Sequence, residues 1–283
     1  MALALALALP AAPAAAQAAA PVWTRRAATE VQMRGVAATI RVTAEERPDI
    51  AVSITNPGSL PTPEVRLTRG KLVIDGGLER QIQGCRTRGG FEAQVRRFGW
   101  VTQAALPVIE LRVPENAVVA AGGAIVLHAG PTRSLQLFLE GCGSADVERV
   151  DGHADFSLAG GDLALRAYDG GDVALRIAGG GDVTLGVVRN GLELSIAGAG
   201  DVEVARADGP TNIVVQGAGD VSIRDGRATV LSIAIMGAGD VSHGGQAETL
   251  DAAIFGGGDV SVARVTGEVS RRVFGGGEIT VGD

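Results

Sequence analysis

A glycine-rich corner, an acidic residue and an alternating apolar strand recur eight times between Asp162 and Glu278. The acids are Asp162, Asp172, Asp182, Asp201, Asp220, Asp240, Asp259 and Glu278, at spacings of 10, 10, 19, 19, 20, 19 and 19 residues. The underlying period is 19–20 residues, with Asp172 as a half-period marker. A unit of that length cannot bury an apolar face alone, so it must stack on its neighbours. The period therefore predicts an all-β, single-chain parallel β-solenoid (β-helix) with rungs of about 19–20 residues.

Aligning the rungs on the acid exposes two strands. After it come Val183-Thr184-Leu185, Val202-Glu203-Val204, Val221-Ser222-Ile223, Val260-Ser261-Val262 and Ile279-Thr280-Val281. Five positions before it stand Ile177, Ile196, Val215, Ile235, Ile254 and Val273, and seven before it Leu175, Leu194, Ile213, Ile233, Ala252 and Arg271. This period-2 alternation marks half-buried strands with the aliphatic residues inward. Only 3% of residues are aromatic while 46% are hydrophobic, which suits a narrow stacked core. In the terminal rung Arg271 takes an inward position, as a layer facing water needs. His243 also takes an inward position and reads as a core or edge residue rather than a ligand.

The corners demand glycine. Gly179, Gly198, Gly217, Gly237, Gly256 and Gly275 stand three before the acid, and another glycine directly precedes it each time. Glycine accepts positive φ and lets neighbouring corners approach closely. The acids then read as a structural turn ladder, each carboxylate accepting backbone N–H groups of its own corner or of the next rung. Stacked carboxylates repel by roughly 1 kcal/mol per neighbouring pair in water, so they need hydration, hydrogen bonds or a bound ion. Calcium is the ion to weigh, but each corner offers one carboxylate where calcium takes about six to eight oxygens. The expectation is no metal and no cofactor.

The repeated Gly-Ala-Gly-Asp-Val of Gly198–Val202, Gly217–Val221 and Gly237–Val241, with Gly-Gly-Gly-Asp-Val at Gly179 and Gly256, resembles the putative auto-transporter adhesin, head GIN domain family. The resemblance implies an exported bacterial β-solenoid and carries over no catalytic residue. The segments Val31–Thr43, Asp49–Asn56 and Val65–Asp75 alternate in the same way without the signature.

The N-terminus gives an address. Residues 2–20 are Ala, Leu and Pro apart from Gln17, carry no charged side chain, and include an Ala16-Gln17-Ala18 cleavage option. They read as a signal peptide or leader (1–20), followed by a solenoid domain over 21–283 whose regular repeats occupy 141–283. The expected location is the periplasm, the outer-membrane surface or the extracellular space, with no transmembrane segment in the mature chain. An exported chain with two cysteines oxidises them as a rule, so Cys85 and Cys142 are a candidate disulfide, with two free thiols as the alternative.

Residues 78–105 form an Arg-rich excursion from the repeat. Arg86, Arg88, Arg96, Arg97 and Trp100 make a candidate binding patch for polyanions or glycans, against the simpler reading of a loop laid over the solenoid. A net charge of −7 and the lack of any known motif argue against nucleic acid. No phosphate loop, His-Glu-x-x-His or nucleophile elbow is present in the sequence, and Asp151-Gly152-His153-Ala154-Asp155 reads as a solvated strand face before it reads as a metal site. The sequence thus points to a non-enzymatic envelope protein, an adhesin or a structural or binding module. It leaves the partner open between an envelope glycan and an envelope protein. The alternatives are a β-helix glycan-active enzyme and a calcium-binding repeat protein.

Overall fold

The structure is a computed structural model that describes residues 21–160 and 163–282, with the backbone alone for 163–169. The leader expected at 1–20 and the acid Asp162 lie outside the described residues. The chain is an all-β parallel solenoid, as its period predicts, with no α-helix among the described residues.

Parallel register carries like residues up the body. One inward column runs Leu72, Val31, Val119, Leu137, Phe156, Leu175, Leu194, Ile213, Ile233, Ala252 and Arg271, each directly over the next. All of these side chains except the terminal Arg271 are buried. A second column, Val183, Val202, Val221, Val241, Val260 and Ile279, lines the facing strand and is buried throughout. Each buried aliphatic side chain contributes roughly 1.5–3 kcal/mol, and no single rung could gather enough of them alone.

The N-terminal end is built differently from the alternation in its sequence. Ile50–Thr55 pairs antiparallel with Val108–Pro114 and with Thr24–Arg26. Glu64–Thr68 pairs antiparallel with Lys71–Asp75 through a two-residue turn in which Arg69 and Gly70 have φ of 50° and 78°. Positive φ at both central residues is what a tight hairpin requires. Residues 50–53 are buried on both faces while Glu64–Thr68 is half-buried only at Val65, and these two strands close the end of the stack instead of adding parallel rungs.

The excursion has a definable origin. Strand Glu30–Glu45 turns its corner at Gly35, so only residues 35–38 separate Arg34 from Thr39. In the layer beside it, Asp75 pairs with Arg34 and Val108 with Thr39, so residues 76–107 span the same corner. The excursion is an insertion at one corner of one rung. Within it, Ile82–Arg86, Glu92–Val95 and Gly99–Thr102 form a separate antiparallel sheet of three strands.

Candidate functional site

The acidic ladder spends itself on the fold. Asp201 Oδ1 accepts the backbone N–H of Asp220 at 3.2 Å, Asp220 that of Asp240 at 2.9 Å, Asp240 that of Asp259 at 2.8 Å, and Asp259 that of Glu278 at 2.8 Å. Backbone carbonyls run the other way, with Val202 N–H donating to Asp220 O and Val221 N–H to Asp240 O, both at 2.8 Å. Asp201, Asp220, Asp240 and Asp259 thus each tie their corner to the next, a bond that Asp182 does not make to any described residue. Asp172 stands apart from this column, because its register places it between His153 and Gly191 on a different edge of the rung. No group of three or more possible metal-ligating side chains gathers among the described residues.

The excursion is fixed to the solenoid by three means. Gly76 N–H donates to Arg34 O at 3.0 Å and Leu78 N–H to Gly35 O at 3.1 Å, which pins the outgoing chain to the bulged strand. Leu78, Phe91, Ala93, Val95 and Val101 pack on Ala37, Ala124 and Val126, which face outward from the rungs, and make a second apolar cluster. Cys85 and Cys142 are bonded, with Cα atoms 5.8 Å apart, so the small sheet is also held covalently to strand Ser134–Val147.

The structure divides the basic residues of this region. The Arg86 guanidinium lies 4.2 Å from the centre of the Trp100 ring and also pairs with Glu92. Arg88 sits in the turn before Glu92–Val95, whereas Arg96 and Arg97 sit in the turn after it, at the other end of the sheet. The five residues read together from sequence therefore form one stacked pair and two separate turn positions.

A cleft of about 820 Å³ opens between the excursion and the solenoid face. Register lays out its floor. Ala120 lies between Gln32 and Phe138 on neighbouring rungs, and Phe138 is followed by Ser157. Gly122 lies beside Glu140, and the wall carries Glu79 and Gln83 from the excursion. The small floor residues leave a trough with taller side chains on both sides. Phe138 is 40% exposed there, one of several exposed aromatic side chains that include Trp100, Phe255 and Phe274. Glu79, Gln83, Glu140 and Ser157 make no side-chain hydrogen bond or ion pair to another described residue, while Arg34 donates to Gln32 Oε1 at 2.8 Å. The one local signal for this cleft is Phe138, an aromatic at an outward strand position; its walls, with Glu79 and Gln83 on one side and Glu140 on the other, come from segments far apart in the chain.

Other candidates resolve into structural roles. Asp151 and Asp155 pair with Arg149 and Arg176 at 2.8 Å each, which leaves His153 without a ligand set. Burial lowers the His243 pKa below that of an ordinary imidazole, and neither ring nitrogen has a hydrogen-bond partner. Phe255 and Phe274 stack with centroids 5.1 Å apart on the outer face. At the return turn, a hydrogen bond from the Arg206 guanidinium holds the Asp208 carboxyl below the usual carboxylate range.

Comparison with known proteins agrees with the repeat reading. Residues 187–283 match the family model described as putative auto-transporter adhesin, head GIN domain, as the Gly-x-Gly-Asp-Val repeats had suggested. The solved structure of a putative adhesin from Parabacteroides distasonis superposes with a TM-score of 0.57 at 13% identity, over 92% of this chain and 96% of that one. A putative lipid binding protein from the same species gives 0.50 at 14% identity, over 94% and 98%. A putative adhesin from Parabacteroides merdae gives 0.50 at 14% identity, over 92% and 95%. At these identities the likeness is one of fold. No curated protein matches the sequence.

Proposed function

We propose that this protein is an exported, non-enzymatic binding module of the bacterial envelope, and that it holds its ligand in the cleft beneath the excursion. The observation that carries the reading is the insertion itself. One rung corner is extended by a small sheet, anchored covalently and by its own apolar cluster, so that it overhangs unpartnered polar groups and an exposed aromatic ring. Convergent polar groups around a concave, partly apolar floor are the usual make-up of a ligand site. The corner acids, by contrast, are committed to backbone hydrogen bonds.

Three further points support an envelope location. Disulfides persist in oxidising compartments, the repeats match a family described as an adhesin head, and the fold is shared with solved adhesin-like proteins. No helix of the described residues is long and apolar enough to cross a membrane. The test has two arms. Fractionation of the producing cells should place the protein outside the cytoplasm, and immobilised protein should retain solubilised envelope material without releasing new reducing ends from it. A cytoplasmic protein with free thiols, or steady turnover of envelope glycan, would defeat the reading.

A further inference from the structure

Resting on that assignment of the cleft, we infer that its ligand is a neutral saccharide, with one ring laid across Ala120 and Gly122 against Phe138. The dimensions favour a flat ring. Gln32 and Phe138 stand two rungs apart, about 10 Å at the spacing of parallel strands, and only the methyl of Ala120 fills the row between them. In the next row Gly122 has no side chain at all, so the floor of the trough is nearly bare backbone.

The chemistry around that floor is selective. Sugars present an apolar C–H face and a rim of paired hydroxyls. Phe138 supplies an aromatic surface for the first. The planar carboxylate and amide ends of Glu140, Glu79 and Gln83 suit the second, since each can meet two neighbouring hydroxyls, and none is used up by a protein partner among the described residues. Ser157 adds a hydroxyl beyond Phe138. A lipid tail would need a continuous apolar lining, and here carboxylate and amide groups interrupt it on both walls. An anionic ligand meets two carboxylates against one guanidinium, that of Arg34, already donating to Gln32.

The test uses labelled full-length mature protein on an array of neutral, N-acetylated and anionic oligosaccharides, with anionic phospholipid vesicles as a separate probe. The expected result is retention on neutral or N-acetylated spots. Phe138→Ala should weaken it at least tenfold. Gly122→Leu should do the same by filling the trough, and a β-carbon there meets nothing closer than the Met33 carbonyl oxygen at 3.6 Å, so the variant should fold. Phe274→Ala, an exposed aromatic in the terminal rung, should bind as wild type, and matching melting curves keep the comparison sound. Retention confined to anionic spots or vesicles, no retention on neutral spots, or retention indifferent to both cleft variants overturns the inference. If envelope material still binds and Gly122→Leu abolishes it while the neutral spots stay blank, the saccharide inference fails and the cleft assignment stands. If envelope binding ignores Gly122→Leu as well, the assignment falls too.

Discussion

Asp220 accepts the backbone N–H of Asp240 through Oδ1 at 2.9 Å, across the gap between two rungs. The same bond repeats from Asp201 to Glu278, so the most conspicuous acids of the sequence act as stitches between corners. Each stitch needs an acceptor and not a charge, which separates a structural ladder from an ion site.

Asp220→Asn should therefore leave stability nearly unchanged, and Asp220→Ala should cost about 1 kcal/mol, as lost side-chain caps of backbone N–H groups do. Millimolar calcium should not raise the melting temperature of the wild type. A large calcium-dependent rise, abolished by Asp201→Asn with Asp220→Asn, would restore the ion-binding reading.

The corner glycines differ in what they tolerate. Gly217 has φ 144° and a β-carbon there would sit 2.0 Å from the carbonyl oxygen of Gly198, whereas one at Gly257 meets nothing within 4 Å. Ala199, Ala218 and Ala238 already occupy the position equivalent to Gly257. Gly217→Ala should cost roughly 1–3 kcal/mol or more, and Gly257→Ala should be neutral or stabilise by about 0.4–1 kcal/mol. Urea unfolding of both variants checks the contrast, and equal losses would contradict it.

The disulfide closes a loop over a sequence separation of 57 residues. In the chain-entropy treatment such a loop stabilises by about 4 kcal/mol. Denatured, unreduced protein should titrate no thiols. Replacing both cysteines with serine should lower the melting temperature and expose the turn at 87–90 to proteolysis before the rungs unfold. Two reactive thiols in the untreated protein would count against the anchor.

His243 predicts an acid-side weakness. Its ring lies in register between Ile223 and Val262, buried, with both nitrogens unpartnered. Desolvation lowers its folded pKa below the unfolded value of 6.5, opposed in part by the adjacent backbone of Gly245 and of His243 itself and, less, by the Asp225 carboxylate. Above that value both states are neutral and the stability contribution is level. As pH falls below it, the unfolded chain takes up a proton that the native ring resists, and stability drops. His243→Val should flatten this part of the pH profile and stabilise by about 1 kcal/mol at neutral pH. A wild-type melting temperature unchanged between pH 7.5 and 5 would contradict the account.

Much of the fold was legible because the period of the sequence is the period of the structure. Ile177, Ile196 and Val215 repeat at the rung spacing and stack in register. The choice between own corner and next rung for the acids was not legible, since both satisfy the same carboxylate. Nor was the reversal of Ile50–Thr55 and Glu64–Thr68, because alternation of apolar and polar residues is blind to strand direction. The cleft was hidden for a third reason. Its walls are brought together only by register and by a corner insertion, which set Glu79 and Glu140 around one cleft, and no local pattern encodes that placement.

The central claim is that ligand is held beneath the excursion and not along the acidic corners. Hydrogen exchange of the protein with and without solubilised envelope material reads both surfaces in one measurement. The account predicts slowed exchange in 76–84 and 135–142, with the corners at Asp201, Asp220 and Asp240 unaffected. Protection confined to those corners, with 76–84 and 135–142 unchanged, would contradict it.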